Sequence, residues 1–210
     1  MKTLIEQVQD LKNSDIKIII DKKIKDFSDF KNKEEIDWFS ELCFCLLTAN
    51  FQAKKSIEIQ KVLIENNGFL DFNQEELSTE LKNLGHRFYN KRAEYIILAR
   101  KYQKVLKETL NNLENDKEKR NWLFENIKGI GLKEASHFLR NTGHNNLAIL
   151  DFHIIDILVE KKIIEKPKTL TKNKYEEIEE TLENICKQTG LQQGELDFYL
   201  WFLETGEILK

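Results

Sequence analysis

The chain has one proline and eight glycines in 210 residues. A sandwich or barrel of short strands needs turn residues every ~8–12 positions, so this scarcity excludes a turn-rich β fold and favours helices throughout. Only three cysteines occur, Cys43, Cys45 and Cys186. An odd, unclustered set supports neither a disulfide framework nor a zinc site, and the first two fall in an apolar stretch that reads as core. No apolar run approaches the ~20 residues of a membrane span; the Ile18–Ile20 triplet is far too short. Residues 1–10 (MKTLIEQVQD) are amphipathic and unlike a secretory signal. The four histidines, His86, His137, His144 and His153, show no metal-ligand spacing. These absences lead us to expect a cytoplasmic protein without a membrane partner, structural metal or cofactor.

What is present suits a compact all-α chain. Hydrophobic residues make up 40% of the sequence, enough for one large domain or two small packed ones. The net charge of −3 argues against nucleic-acid binding, but its distribution does not. Residues 82–107 hold eight Lys/Arg and one Glu, net +7, whereas residues 173–210 hold three Lys and nine acids, net −6. A basic face on an acidic protein is therefore available, although charge alone fits solvated helix surfaces equally well.

Along the chain, Leu4, Val8 and Leu11 mark an amphipathic first helix, followed by a Lys/Asp-rich connection to residue 33. Residues 34–50 carry Ile36, Phe39, Leu42, Cys43, Leu46 and Leu47 at helical spacing, a central buried helix. A further helix with Ile57, Ile59, Val62 and Leu63 is expected to close at Gly68. Asn73 and Glu76 form a capping-box pattern for a helix ending at Gly85. Residues 86–102 open a helix expected to run past Leu106, with Arg87, Lys91 and Arg92 around Phe88 and Tyr89. Cations among aromatics suit phosphate neutralisation and base stacking. A charged turn (ENDKEKR) should then lead into a helix carrying Trp122, Leu123, Phe124 and Ile127. A Glu-rich helix and a last aromatic one follow Pro167.

The stretch from Ile127 to His153 organises the rest. Ile127-Lys128-Gly129-Ile130-Gly131 reads as a tight turn between two helices, its isoleucines turned inward. A helix over Leu132–Asn141 should stop at Gly143 and present Ala135, Phe138 and Leu139 on one stripe. Lys133 then lies in its first turn, where the helix dipole disfavours a cation. That helix runs ~15 Å at 1.5 Å per residue, and residues 145–150, if extended, can bring the chain back. Asp151 would N-cap the next helix near Lys133. An amine and a carboxylate on neighbouring helix N-termini form a plausible nucleophile and acid.

The strings I-K-G-I-G-L-K and L-D-F-H-I, with Asp151 eighteen positions after Lys133, resemble the helix-hairpin-helix DNA glycosylases of the endonuclease III superfamily. GIGLKEASHFLRN and LLTANFQAKKS resemble more closely its archaeal-type 8-oxoguanine glycosylase/lyases, and Lys210 as final residue fits them too. The likeness spans about Trp38 to Lys210. The four-cysteine loop of the superfamily's iron–sulfur members is missing. The resemblance implies an all-α fold of two packed helical subdomains with a helix-hairpin-helix motif. Their bounds would be 34–112 and 113–210, with residues 1–33 packing on the second.

The resemblance also implies site roles. Lys133 would be the nucleophile and Asp151 its acid partner. Asn50 would fill the gap left by an extruded base, with Lys54, Arg87, Lys91, Gly129, Gly131 and His153 contacting DNA. Phe88 and Trp201 would hold a purine between two ring faces, while the α-carboxylate of Lys210 accepts from its N–H edge. The Gly129–Gly131 turn would offer N–H groups to a phosphate, with a monovalent cation bridging from its carbonyls. The expected partner is double-stranded DNA bearing 8-oxoguanine or abasic sites, met by a monomer. Free lysine has a pKa of about 10.4, so a nucleophilic lysine needs desolvation and a positive helix end to favour its neutral form. Two alternatives stand: the same chemistry on another damaged base, or a non-catalytic hairpin module that holds phosphates only.

Overall fold

A computed structural model describes residues 2–210. Thirteen α-helices and one 3₁₀ turn make up the regular structure of those residues. Thr3 and Glu6 cap α1 (Leu4–Lys12) reciprocally. The expected connection is instead a helix, α2 (Ile16–Phe30). Ile20, Ile24 and Phe27 recur at i, i+4 and i+7, giving this charged segment a narrow apolar stripe. Ile20 and Phe27 are buried, whereas Ile18 and Ile19 face solvent.

The next helices are α3 (Glu35–Thr48), α4 (Ala53–Glu65), the single turn α5 (Gly68–Asp71) and α6 (Gln74–Asn83). Gly68 starts α5 rather than closing α4; the stop is Asn67, in the left-handed region at φ 54°. The Asn73/Glu76 capping box forms as its spacing predicts. The helix expected to pass Leu106 ends earlier: α7 (Tyr89–Ala99) gives way to a 3₁₀ turn and then α8 (Leu106–Asn111). Arg100 lies at the break, its guanidinium bonded to the carbonyls of Phe69 (2.8 Å) and Phe72 (2.6 Å). Most of the charged stretch expected as a turn belongs to α9 (Asp116–Asn126), N-capped by Asn115. Then come α10 (Leu132–Asn141), α11 (Phe152–Glu160), α12 (Lys172–Thr189) and α13 (Gln193–Thr205), the last two stopped by left-handed Gly190 and Gly206.

Buried apolar side chains fall into two clusters. One surrounds α3, with Trp38, Phe44 and Leu46 meeting Leu81, Ile96, Leu123 and Phe138. The other joins the N-terminal helices to the C-terminal ones, with Val8, Ile20 and Phe27 meeting Leu158, Ile178 and Tyr199. Accordingly α1 packs on α12 and α13, and α2 on α10 and α13. Full burial of each such side chain contributes roughly 1.5–3 kcal/mol. Cys43, Cys45 and Cys186 are buried free thiols. No helix among the described residues is long and apolar enough to cross a membrane.

Between α10 and α11 the chain crosses from one cluster to the other: Leu147 belongs to the first, Ala148 and Leu150 to the second. A buried ion pair fixes this crossing. Arg120 of α9 grips Glu179 of α12 through two parallel bonds, one of 2.9 Å, with both side chains 2% exposed. Glu179 also accepts from Ala148 N at 3.0 Å, and the Tyr175 hydroxyl donates to Ala148 O at 2.7 Å. Both Glu179 oxygens are used, which offsets the desolvation of the two charges, and the buried Arg120 Nε–H is left without a partner among the described residues. The segment that delivers Asp151 is thereby held on both edges.

Candidate active site

A cleft of about 930 Å³ is lined by residues of both clusters. Lys133 is the second residue of α10, whose N-cap is Gly131. Leu132 beside it is buried, while Lys133 itself is half-buried and lines the cleft. Asp151 N-caps α11, its Oδ1 accepting from Ile154 N at 3.0 Å. It lines the same cleft, as do Asn50, Lys54, Arg87, His153, Trp201 and Lys210. Both Lys133 and Asp151 thus stand at positive helix ends, and Lys133 makes no ion pair among the described residues.

The wall formed by residues 48–54 turns at Asn50 and is held by hydrogen bonds from residues 86–92. Asn50 sits at φ 56°, an uncommon conformation for a residue other than glycine. The turn is held from outside: Arg87 donates to Asn50 O at 3.0 Å, and Arg92 to Ala49 O. His86 Nδ1 accepts from Phe88 N at 3.1 Å, which leaves Nε2–H to donate to Leu47 O at 3.0 Å. Burial lowers the pKa of His86 and favours this neutral form. Phe51 stacks on the His86 ring at 4.1 Å. Across the cleft, the Trp201 and His153 rings meet edge to face at 4.6 Å, and the Trp201 indole N–H has no partner among the described residues.

At the back, Arg140 pairs with Asp197, both side chains nearly inaccessible. Burial pushes the Asp197 carboxyl up to about 6 against the pull of Arg140, and the negative charge of Asp151 adds to the rise. His137 is kept neutral chiefly by burial, then by the nearby cations Arg140, Lys133 and Lys210. Asp197, Arg140, His137 and the exposed rim residue Phe152 escaped the sequence reading. The first three look like ordinary helix polars in one dimension, and only their burial reveals them.

Four expected site residues do not line the cleft. Phe88 is covered by the Arg87 guanidinium, 4.4 Å from its ring centre. Lys91 is bonded to Glu94 at 2.9 Å. Gly129, at φ +92°, backs onto Tyr95, whose ring a Cβ would approach to 2.2 Å. Gly131 adjoins the Glu134 carboxylate, 2.9 Å from where its Cβ would be. Within the turn, Ile130 N donates to Ile127 O at 3.2 Å, which leaves that oxygen a second lone pair.

An all-helical chain in which a hairpin turn feeds a lysine-bearing helix, with an aspartate capping the next, is a helix-hairpin-helix protein. Residues 20–191 match the family described as 8-oxoguanine DNA glycosylase, and the chain belongs to that family. Over 208 residues it is 53% identical to the 8-oxoguanine DNA glycosylase/AP lyase of Methanocaldococcus jannaschii, covering 99% of both chains. It is 44% identical to that of Korarchaeum cryptofilum, covering 99% of this chain and 98% of the relative. The crystal structure of the M. jannaschii glycosylase/lyase in complex with a 15mer DNA containing 8-oxoguanine superposes with a TM-score of 0.95, at 53% identity and 99% coverage of each chain.

Proposed function

We propose that this chain excises 8-oxoguanine from DNA and then cleaves the strand at the abasic sugar, as a glycosylase and AP lyase of the cytoplasm. The observation that carries the reading is the common cleft of Lys133 and Asp151 on consecutive helix N-termini.

The C1′ of a stacked nucleotide is inaccessible, so the lesion must leave the duplex for the cleft. The neutral Lys133 amine attacks C1′ while the N-glycosidic bond breaks, and the base departs with the bonding pair and takes up a proton. Loss of the amine protons and opening of the sugar ring give a Schiff base between Nζ and C1′. Removal of a C2′ proton then expels the 3′ phosphate, and hydrolysis frees the lysine. Asp151, held by the Ile154 N–H, supplies fixed negative charge beside a sugar that becomes positive in the transition state.

Asn50, on its strained turn, fills the vacated stack, with Lys54, Arg87, Lys91 and His153 on phosphates. The Gly129–Gly131 turn presents backbone N–H groups to a phosphate. Trp201 offers one face to the base, and Phe88 the other once Arg87 moves from its ring to the duplex. Main-chain oxygen of Lys210 accepts from the purine N–H edge. In this reading residues 34–112 and 113–210 act as two subdomains with DNA at the groove between them, residues 1–33 belong with the second, and the protein works as a monomer.

Borohydride trapping on an 8-oxoguanine duplex tests the proposal. A covalent protein–DNA adduct is expected, and its absence overturns the lysine chemistry. Faster turnover of a duplex carrying an oxidised pyrimidine would instead overturn the purine assignment.

A further inference from the structure

Lys210 reaches inward. Its ammonium lies 2.5 Å from Glu41 Oε2 and 2.8 Å from Gln60 Oε1, and 4.4 Å from the centre of the Phe44 ring. Glu41 is 1% exposed and is the one charged side chain among the buried residues of α3. Its other oxygen, Oε1, accepts from Asn141 Nδ2 of α10 at 2.7 Å, while Gln60 Nε2 of α4 approaches Oε2 at 3.4 Å. A carboxylate in a core helix is costly unless it is paired and hydrogen-bonded, and here one cation does the pairing. At the other end of the same residue, Lys210 O lies 3.3 Å from His137 Nε2. Residue 210 is therefore gripped at both ends, and with Leu209 it forms part of the cleft wall. Residues 207–210 are themselves outside any helix, so side-chain contacts place this tail.

We propose that Glu41 is a positioning residue for the lesion pocket: by clamping the Lys210 ammonium it fixes the main-chain oxygens of the tail where the extruded base is read. This rests on the function proposed above, in which Lys210 reads the base. Glu41 never meets DNA in this scheme. It acts through Lys210, and through Asn141 it ties the tail to the helix that bears Lys133.

Two measurements on Glu41→Gln test the idea. Hydrogen–deuterium exchange of the 206–210 backbone in free protein should quicken relative to wild type, while that of α10 changes little. Unchanged tail protection overturns the proposal whatever the activity. The second measurement is the ratio of 8-oxoguanine excision to cleavage of a preformed abasic site, which needs no base reading. That ratio should fall about tenfold, the size expected for one charge-assisted contact. Equal losses on both substrates would make Glu41 a packing residue only. Lys210→Gln alone strands the buried carboxylate, whereas Glu41→Gln with Lys210→Gln restores a neutral amide pair and should recover part of the tail protection; no recovery counts against the clamp. Wild type that traps on neither duplex would refute the proposed function, and the exchange result would still decide whether Glu41 anchors the tail.

Discussion

Lys133 and Asp151 share a cleft without forming an ion pair: the Asp151 carboxylate is bonded to the Ile154 N–H, and the amine has no acidic partner among the described residues. A close pair would favour the protonated amine and oppose attack. The arrangement instead keeps negative charge near the sugar while leaving the nucleophile unclaimed. Lys133→Gln should abolish the borohydride adduct, and undiminished adduct in that variant would refute Lys133 as nucleophile. Asp151→Asn should preserve the helix cap, since Asn caps as well as Asp, and so leave the melting temperature nearly unchanged. Its single-turnover excision should nevertheless slow by about 10²–10³, the usual loss for a preorganised electrostatic group.

Gly129 separates a structural from a phosphate-binding requirement. A Cβ there would both occupy φ +92° and strike the Tyr95 ring. Gly129→Ala should therefore cost on the order of 2–5 kcal/mol, combining about 1–2 for the left-handed backbone with about 1–3 for overpacking. Urea titration would measure it. Adding Tyr95→Ala should relieve the steric part but not the backbone part. A double variant no more stable than the sum of the two single losses would show that the clash with Tyr95 is not the cause.

Much of this site was legible in one dimension because it hangs on local rules. The Leu132–Asn141 helix and its Gly143 stop, the Asp151 cap and the Asn73 capping box each follow from a few adjacent residues, and each formed. The failures share a different cause. The narrow stripe of α2 was hidden by its lysines and aspartates, and it becomes a helix because α10 and α13 cover it. The α7 break needs carbonyls some thirty residues away to satisfy Arg100. Glu41, Arg120 and Glu179 read as solvated helix charges, and only tertiary pairing explains their burial.

That last pair offers its own test. Glu179→Gln leaves Arg120 charged at 2% exposure and should cost roughly 3–5 kcal/mol. Arg120→Met with Glu179→Met removes both charges and should be the less destabilised of the two. It still orphans the Ala148 N–H, at about 1–3 kcal/mol. Because the clamp also delivers Asp151, the double variant should excise more slowly than its melting temperature suggests. A double variant with wild-type excision would separate the clamp from the chemistry.

Stability should fall in mild acid, and His144 supplies a defined part of the loss. Burial lowers its pKa from 6.5 to about 4, with Asp116 opposing the shift and Lys119 and Lys31 assisting it. A base with a depressed folded value stabilises the fold fully above its unfolded pKa, and that stability is lost as pH drops from 6.5 through 4. At 1.36 kcal/mol per unit this amounts to about 3 kcal/mol. His137 and His86, also held down chiefly by burial, act in the same direction. Asp197 acts oppositely: burial raises its carboxyl from 3.8 to about 6, so its penalty is present above pH 6 and eases as it protonates below. Three depressed histidines outweigh one raised carboxyl, so the melting temperature should decline from pH 6.5 to 4. His144→Gln should flatten that decline, since Gln does not titrate. An unchanged slope in the variant would assign the acid loss to the other histidines.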